Sequence, residues 1–516
     1  MRFTLFREQP RGLWVCAATE MWERFSYYGM RALLVFYLIR HFRFTDRESF
    51  AIYGAYSALV YMAPIIGGAI ADRWLGGRKA VLLGGVLLIL GHFGMAFEGA
   101  PATELVVAGA RQVTRDPAGL NLLFLSLALI ITGVGFLKTS TNAIVGALYR
   151  ADDPRRDAGF THYYMLYNVG GFLAPLVCGW LGERYGWRYG FGLAGVGMVV
   201  GLIGFLRGQQ HLEGKAEPPS AERLREPLFG IRKEWWIYAG SVGFVALMWL
   251  LLVRRGVVGP LLAAFGVAVG GWLVYYAVAR CNPVERRRLI ACGALTAFTI
   301  GFWAFYEQMG SSLALFSERM VDRQVLGFEI PASTLQAIPS LFVMLLAPGF
   351  GALWLWLGRR GREPSTSVKF VAAIGQLAVG FLVLAVGIAA TPTGQPVPLA
   401  WFGLNFLLLV TGELCLAPVG ISMISRLSPQ RIVGVMMGAF LLAYSASSYL
   451  AGLIARLTSV PTGTEPADPV VMRSLYGAVF LKLGVAALVV AAVLVVCAPA
   501  LTRASRMTED GSLRPS

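Results

Sequence analysis

The chain has 516 residues, of which 56% are hydrophobic and 14% charged, and its mean hydropathy is +0.62. Soluble chains carry about 25% charged residues, so a soluble globular protein is excluded and a polytopic all-α membrane protein is implied. The net charge of +16 does not point to nucleic acid, because the basic residues punctuate the apolar segments instead of forming one patch.

At about 20 residues per crossing, the apolar segments predict about fourteen transmembrane helices. They lie near 13–38, 48–74, 79–98, 119–149, 158–181, 189–207, 234–253, 257–279, 289–318, 333–357, 368–390, 398–426, 431–456 and 471–500. The first segment is longer than a signal-peptide core and carries charges, so it is expected to remain as a membrane helix. Pro64, Pro175, Pro348 and Pro418 fall inside spans, where neighbouring helices or a wet cavity must satisfy the freed carbonyls. Six cysteines without CxxC spacing and four scattered histidines predict neither a disulfide framework nor a metal site.

An inside N-terminus puts Arg73/Arg78/Lys79, Arg150/Arg155/Arg156, Arg286/Arg287/Arg288 and Arg359/Arg360/Arg362 on one side of the membrane. Arg40, Arg43, Arg47, Arg111 and Arg115 fall on the other. The bias predicts a multi-pass plasma (inner) membrane protein with both termini cytoplasmic. The charged, proline-bearing stretch 208–233 is the best interior boundary. It divides the chain into a six-helix bundle (1–207), a linker with an extra transmembrane hairpin (208–285), a second six-helix bundle (286–502) and a cytoplasmic tail (503–516). Trp235/Trp236 and Tyr275/Tyr276 are placed as interfacial anchors of that hairpin.

The first span contains Glu20, Glu23, Arg24 and Arg31, and with Tyr27 they recur along one helix face. An ionised side chain at a helix centre costs roughly 2.5–3.5 kcal/mol on insertion scales, so such a face marks a functional site. Lys138, Glu307 and Glu413 are further ions within predicted spans. Counting rise along each span, Arg31 and Glu307 share a depth, and Lys138 and Glu413 form a second cross-half couple. Two ion-pair gates above and below a central site are therefore expected. A carboxylate in such a pair is a natural proton switch, because protonation removes its charge and frees the basic partner.

At these residues the chain resembles the proton-coupled oligopeptide transporter family of the major facilitator superfamily. Glu20-Met-Trp-Glu23-Arg24-Phe25 matches its ExxERF motif, and Gly67 to Lys79, with Asp72, Arg73 and Arg78, matches its loop motif between the second and third helices. Phe160 to Asn168, Gly170 and Pro175 match its fifth-helix signature, while Phe302 to Gln308 and Gly412 to Pro418 match its C-terminal half. The resemblance implies a major facilitator fold of two six-helix bundles with two extra helices between them. It further implies uptake of di- and tripeptides by a monomer, with protons as the coupling ion and no cofactor. Glu20, Glu23, Arg24 and Glu307 would couple to the proton. Arg31 and Lys138 would meet the peptide carboxylate, Asn168 and Glu413 its amino end, and Tyr27, Tyr28, Tyr61 and Trp303 would line the pocket.

Elementary chemistry agrees with that polarity, since a zwitterion needs a cationic and an anionic pole and arginine grips a carboxylate bidentately. The chain departs from the family pattern in three places. Thr139-Ser140 follow the fourth-helix lysine, Pro339 stands where an amino-end ligand is usual, and Phe440 replaces a tryptophan. The alternative within the same fold is a carrier of another small solute such as nitrate, a metabolite or a drug. A membrane enzyme would need a His/Asp or Ser-centred constellation that the sequence lacks, and paired gates argue against a channel.

Overall fold

The computed structural model describes residues 9–107, 110–150, 153, 155–460 and 468–506. Thirteen helices among them are long and apolar enough to cross a membrane. These are α2 (Asp46–Leu75), α3 (Gly77–Ala96), α4 (Pro117–Ala147), α5 (Arg156–Tyr185), α6 (Trp187–Leu212), α7 (Lys233–Val253) and α8 (Arg255–Ala279). The series continues with α9 (Pro283–Arg319), α10 (Ala332–Arg359), α11 (Thr366–Ala390), α12 (Leu399–Leu427), α13 (Gln430–Thr458) and α14 (Pro469–Ser505). Ahead of them runs α1 (Arg11–Arg40), 30 residues long. Its four internal charges dilute its hydropathy, yet Glu20, Glu23 and Arg31 are buried along with its apolar residues. With α1 the helices reach the number that the apolar segments predict.

Prolines distort these helices without ending them. Pro175 opens a five-residue π segment, Pro175–Gly179, in the middle of α5. Wider turns of this kind let neighbouring groups take up the backbone bonds that proline forfeits. A second π segment, Ala71–Leu75, ends α2 at Gly76, whose φ of +76° suits glycine. Three short antiparallel hairpins, which apolar periodicity does not reveal, interrupt the all-helical pattern. They are β1–β2 (Thr103–Val107 with Ala110–Thr114), β3–β4 (Pro227–Leu228 with Ile231–Arg232) and β5–β6 (Gln324–Val325 with Phe328–Glu329).

The helices gather into two compact units that do not follow chain order. The first comprises residues 1–45, 59–255 and 333–340; the second comprises 46–58, 256–332 and 341–516. In the first unit, α1 packs on α5 and α6, and α3 on α4, through glycine contacts. A Cβ at Gly170 would come within 2.0 Å of the Met21 carbonyl, and one at Gly67 within 2.3 Å of the Gly135 carbonyl. Small residues permit such close backbone approach in lipid, where burying apolar surface drives little association between helices.

The segment 333–340 is held in the first unit by specific bonds. Gln336 donates to the Ala32 carbonyl at 3.2 Å, and the Ser333 N–H donates to Glu183 at 2.8 Å. Pro339 occupies the second position of the helix Ile338–Arg359. It thus stands where the 3-10 segment Ala332–Ala337 gives way to the α-helical part of α10.

In the second unit, α2's opening segment lies on α13. A Cβ at Gly54 would sit 2.9 Å from Gly452 Cα, and Ser445 Oγ donates to the Ala58 carbonyl at 2.6 Å. Arg431, at the start of α13, joins Glu285 at 2.9 Å and Tyr276 at 2.5 Å, binding α8 to α9 and α13. Both α7 and α8 are exposed along most of their apolar windows, as lipid-facing helices are.

Candidate functional site

Within the first unit the predicted charges converge. Glu20 and Glu23 are each 1% exposed. Arg24 bridges them, with Nε 3.7 Å from Glu20 and 3.9 Å from Glu23. The i,i+4 spacing of Glu20 and Arg24 aligns that pair, with the acid on the N-terminal side. Glu20 also accepts a 2.8 Å hydrogen bond from Thr141 Oγ1, and Thr141 in turn accepts one of 3.3 Å from the Tyr163 hydroxyl. Two carboxylates, a guanidinium and two hydroxyls from α1, α4 and α5 therefore form one buried polar chain. Groups so far from water must be satisfied internally, which ties the three helices together.

Aromatic rings complete the cationic half of this cluster. Arg24 Cζ stands 4.7 Å from the Tyr167 ring centroid and 5.7 Å from that of Tyr28, whose hydroxyl accepts from Arg24 Nη1 at 3.3 Å. Arg31 Cζ lies 5.7 Å from the centroid of the same Tyr28 ring, and Lys138 Nζ stands 5.3 Å from that of Tyr61. Ring quadrupoles attract cations without neutralising them, so both side chains keep their charge beside these rings. Tyr27 is buried and meets Tyr28 edge to face at 5.4 Å. Asn168 donates to the Tyr164 carbonyl of its own helix at 2.8 Å. Thr141, Tyr163 and Tyr167 belong to this cluster without being singled out by the sequence; the signal lay in the tyrosines of the α5 signature and in Thr141, three residues after Lys138.

The second unit bears the remaining residues. The α-helical part of α9 ends at Tyr306 and gives way to a 3-10 turn, Glu307–Gly310. Glu307, 3% exposed, opens that turn. Gln308 pins it by donating to the Ala304 and Ala451 carbonyls at 2.9 and 3.1 Å and accepting from Ser312 at 2.8 Å. One helical turn earlier, Trp303 packs against Tyr306 and Tyr444 at 5.0 and 4.7 Å between ring centroids. The Tyr306 hydroxyl donates to the Glu413 carboxylate, which fixes the orientation of that acid beside the aromatic cluster. Phe440 is half-buried against the Gly420 backbone. Arg31 and Lys138 belong to the first unit, Glu307 and Glu413 to the second.

The loop motif has a structural task. Arg78 grips Glu217 at 2.6 and 3.2 Å, and its N–H donates to the Ala216 carbonyl at 2.8 Å. Lys79 reaches Glu234 at 2.5 Å. Together they clamp the linker and the start of α7 onto the α2–α3 turn, where Asp72 and Arg73 are exposed. No group of three or more His, Cys, Asp or Glu able to hold a metal occurs among the described residues.

Residues 78–471, most of the chain, match the model of the POT family. The chain belongs to the POT family. It is 35% identical to the uncharacterized transporter YclF of Bacillus subtilis, over 88% of this chain and 89% of that protein. It is 34% identical to the peptide transporter YePEPT of Yersinia enterocolitica, over 84% and 85%. With dipeptide and tripeptide permease A of Klebsiella pneumoniae the identity is 31% over 98% of this chain and 94% of the other. A crystal structure of peptide transporter POT in complex with sulfate superposes with a TM-score of 0.78 at 32% identity, covering 96% of each chain. The multi-pass helical fold is thus that of POT peptide transporters.

Proposed function

We propose that the protein imports di- and tripeptides in symport with protons by alternating access. The observation that carries this reading is the buried Glu20–Arg24–Glu23 cluster beside two ring-backed cations, Arg31 and Lys138, in a chain of the POT family. Relatives named peptide transporter and dipeptide and tripeptide permease support the substrate class. Glu20, Glu23, Arg24 and Glu307 couple to the proton, and no cofactor or metal takes part. Arg31 and Lys138 form the cationic pole for the peptide carboxylate. Asn168 and Glu413 receive the amino end, beside Tyr27, Tyr28, Tyr61, Trp303 and Phe440.

In this cycle proton entry neutralises Glu307 and loosens its outer gate with Arg31. Peptide fills the site, and the inner Lys138–Glu413 couple opens. The single chain is the transporting unit, held in the inner membrane with both termini cytoplasmic. It works as a carrier and catalyses no covalent step.

A charge-assisted hydrogen bond is worth about 1.5–3 kcal/mol, or roughly 10- to 150-fold in affinity at about 1.4 kcal/mol per tenfold. Glu413→Gln is therefore expected to weaken competition by dialanine by at least tenfold while leaving competition by N-acetyl-dialanine, which lacks the charged amino end, little changed. Equal weakening of both would remove Glu413 from the amino-end role. In the wild type, competition by nitrate but not by peptides would overturn the substrate class.

A further inference from the structure

The linker ahead of α7 carries an apolar hairpin tip that is largely exposed among the described residues. In β3–β4, Pro227 pairs with Arg232 and Leu228 with Ile231, leaving Phe229 and Gly230 as a two-residue turn. Both turn residues have positive φ, +50° and +79°. Turns of that type favour Asn-Gly, since the left-handed region crowds a bulky side chain. Phenylalanine is thus a costly choice, and Phe229 is 88% exposed. Leu228 and Ile231 are also exposed.

The tip is tied to the head of a lipid-facing helix. Trp236 Nε1 donates to the Leu228 carbonyl at 2.9 Å, and the Phe229 and Trp236 rings meet edge to face at 6.4 Å. Lys233, whose N–H donates to the Glu226 carbonyl at 3.0 Å, closes the hairpin's base. Trp235 and Trp236 are exposed in the first turn of α7, the depth at which indoles settle between headgroups and chains. Basic residues surround the apolar tip. Lys233 Nζ pairs with Glu226 at 2.5 Å, which holds that carboxyl below its ordinary range, and Lys79 neutralises Glu234. Arg223, Arg225 and Arg232 remain exposed against Glu222.

We propose that the Pro227–Arg232 hairpin is a membrane anchor: Phe229, Leu228 and Ile231 insert into the leaflet on the linker's side, and Arg223, Arg225 and Arg232 bind anionic lipid headgroups there. An apolar tip with a basic collar is the chemistry of an interfacial anchor for an anionic surface. Its continuity with α7's exposed face sets the depth. Through the Arg78–Glu217 and Lys79–Glu234 contacts the anchor also fastens the α2–α3 turn.

The test uses the full chain in liposomes, with Cys281 and Cys497 changed to serine and a spin label at Phe229→Cys. The ratio of oxygen to water-soluble nickel-complex collisions reports depth. Reference labels at Lys215→Cys in the linker and Val242→Cys in the exposed face of α7 mark water and hydrocarbon. The ratio at position 229 is expected several-fold above that at 215. It should rise further when phosphatidylglycerol replaces phosphatidylcholine, and a chain carrying Arg223→Gln, Arg225→Gln and Arg232→Gln should lose that rise. A ratio equal to that at 215, indifference to lipid charge, or spin–spin broadening showing a second copy on the tip would each overturn the proposal.

Discussion

Glu307→Gln is expected to abolish uphill peptide uptake while leaving counterflow exchange measurable. The replacement is close to isosteric, and the 3-10 turn that holds Glu307 is fixed by its neighbour Gln308 through Ala304, Ala451 and Ser312. Packing should therefore survive and only the titratable group is lost. A proton entering across 100 mV yields about 2.3 kcal/mol, and one unit of pH adds about 1.36 kcal/mol. At about 1.4 kcal/mol per tenfold, these together sustain roughly 500-fold accumulation of a neutral substrate. The variant should fall from that ceiling to equality across the membrane. Proton-driven accumulation retained by Glu307→Gln would contradict the assignment.

The second large effect concerns stability. Asp46, the first residue of α2, accepts a bidentate pair of hydrogen bonds from Arg319, the last residue of α9, at 2.7 and 2.8 Å. The Val460 N–H adds a third at 3.3 Å. Each residue suits its helix end, an acid at an N-terminus and a base at a C-terminus. Both side chains are largely buried, 8% and 14% exposed. Breaking a buried pair by removing one partner costs about 3–5 kcal/mol, because the other charge is stranded, whereas replacing both with apolar groups is often neutral. Asp46→Ala alone should lower the melting temperature sharply, and Asp46→Ala combined with Arg319→Met should recover most of the loss. A single variant no less stable than the double would show that the bonds do little.

What the sequence disclosed follows from the range of the physics involved. Membrane helices announce themselves by local apolar runs, so the spans are legible. The one long helix that fails an apolar window, α1, was marked by its misplaced charges, and those charges meet in the buried Glu20–Arg24–Glu23 cluster. Contacts between remote residues left no local trace. Thr141 meets Glu20 across 121 positions, Tyr306 meets Glu413 across 107, and Arg319 meets Asp46 across 273. The hairpins β3–β4 and β5–β6 were equally hidden, because two-residue strands are too short for alternation to register. Pro339 looked like a lost ligand in sequence, and it stands where a 3-10 segment gives way to the α-helical part of α10.

The most direct measurement is uptake of radiolabelled dialanine by proteoliposomes of the purified protein under an imposed inward proton gradient. Accumulation above the external concentration, collapsing when a protonophore is added, is the predicted result. Uptake that never exceeds equilibration, or that ignores the protonophore, would contradict proton-coupled peptide import.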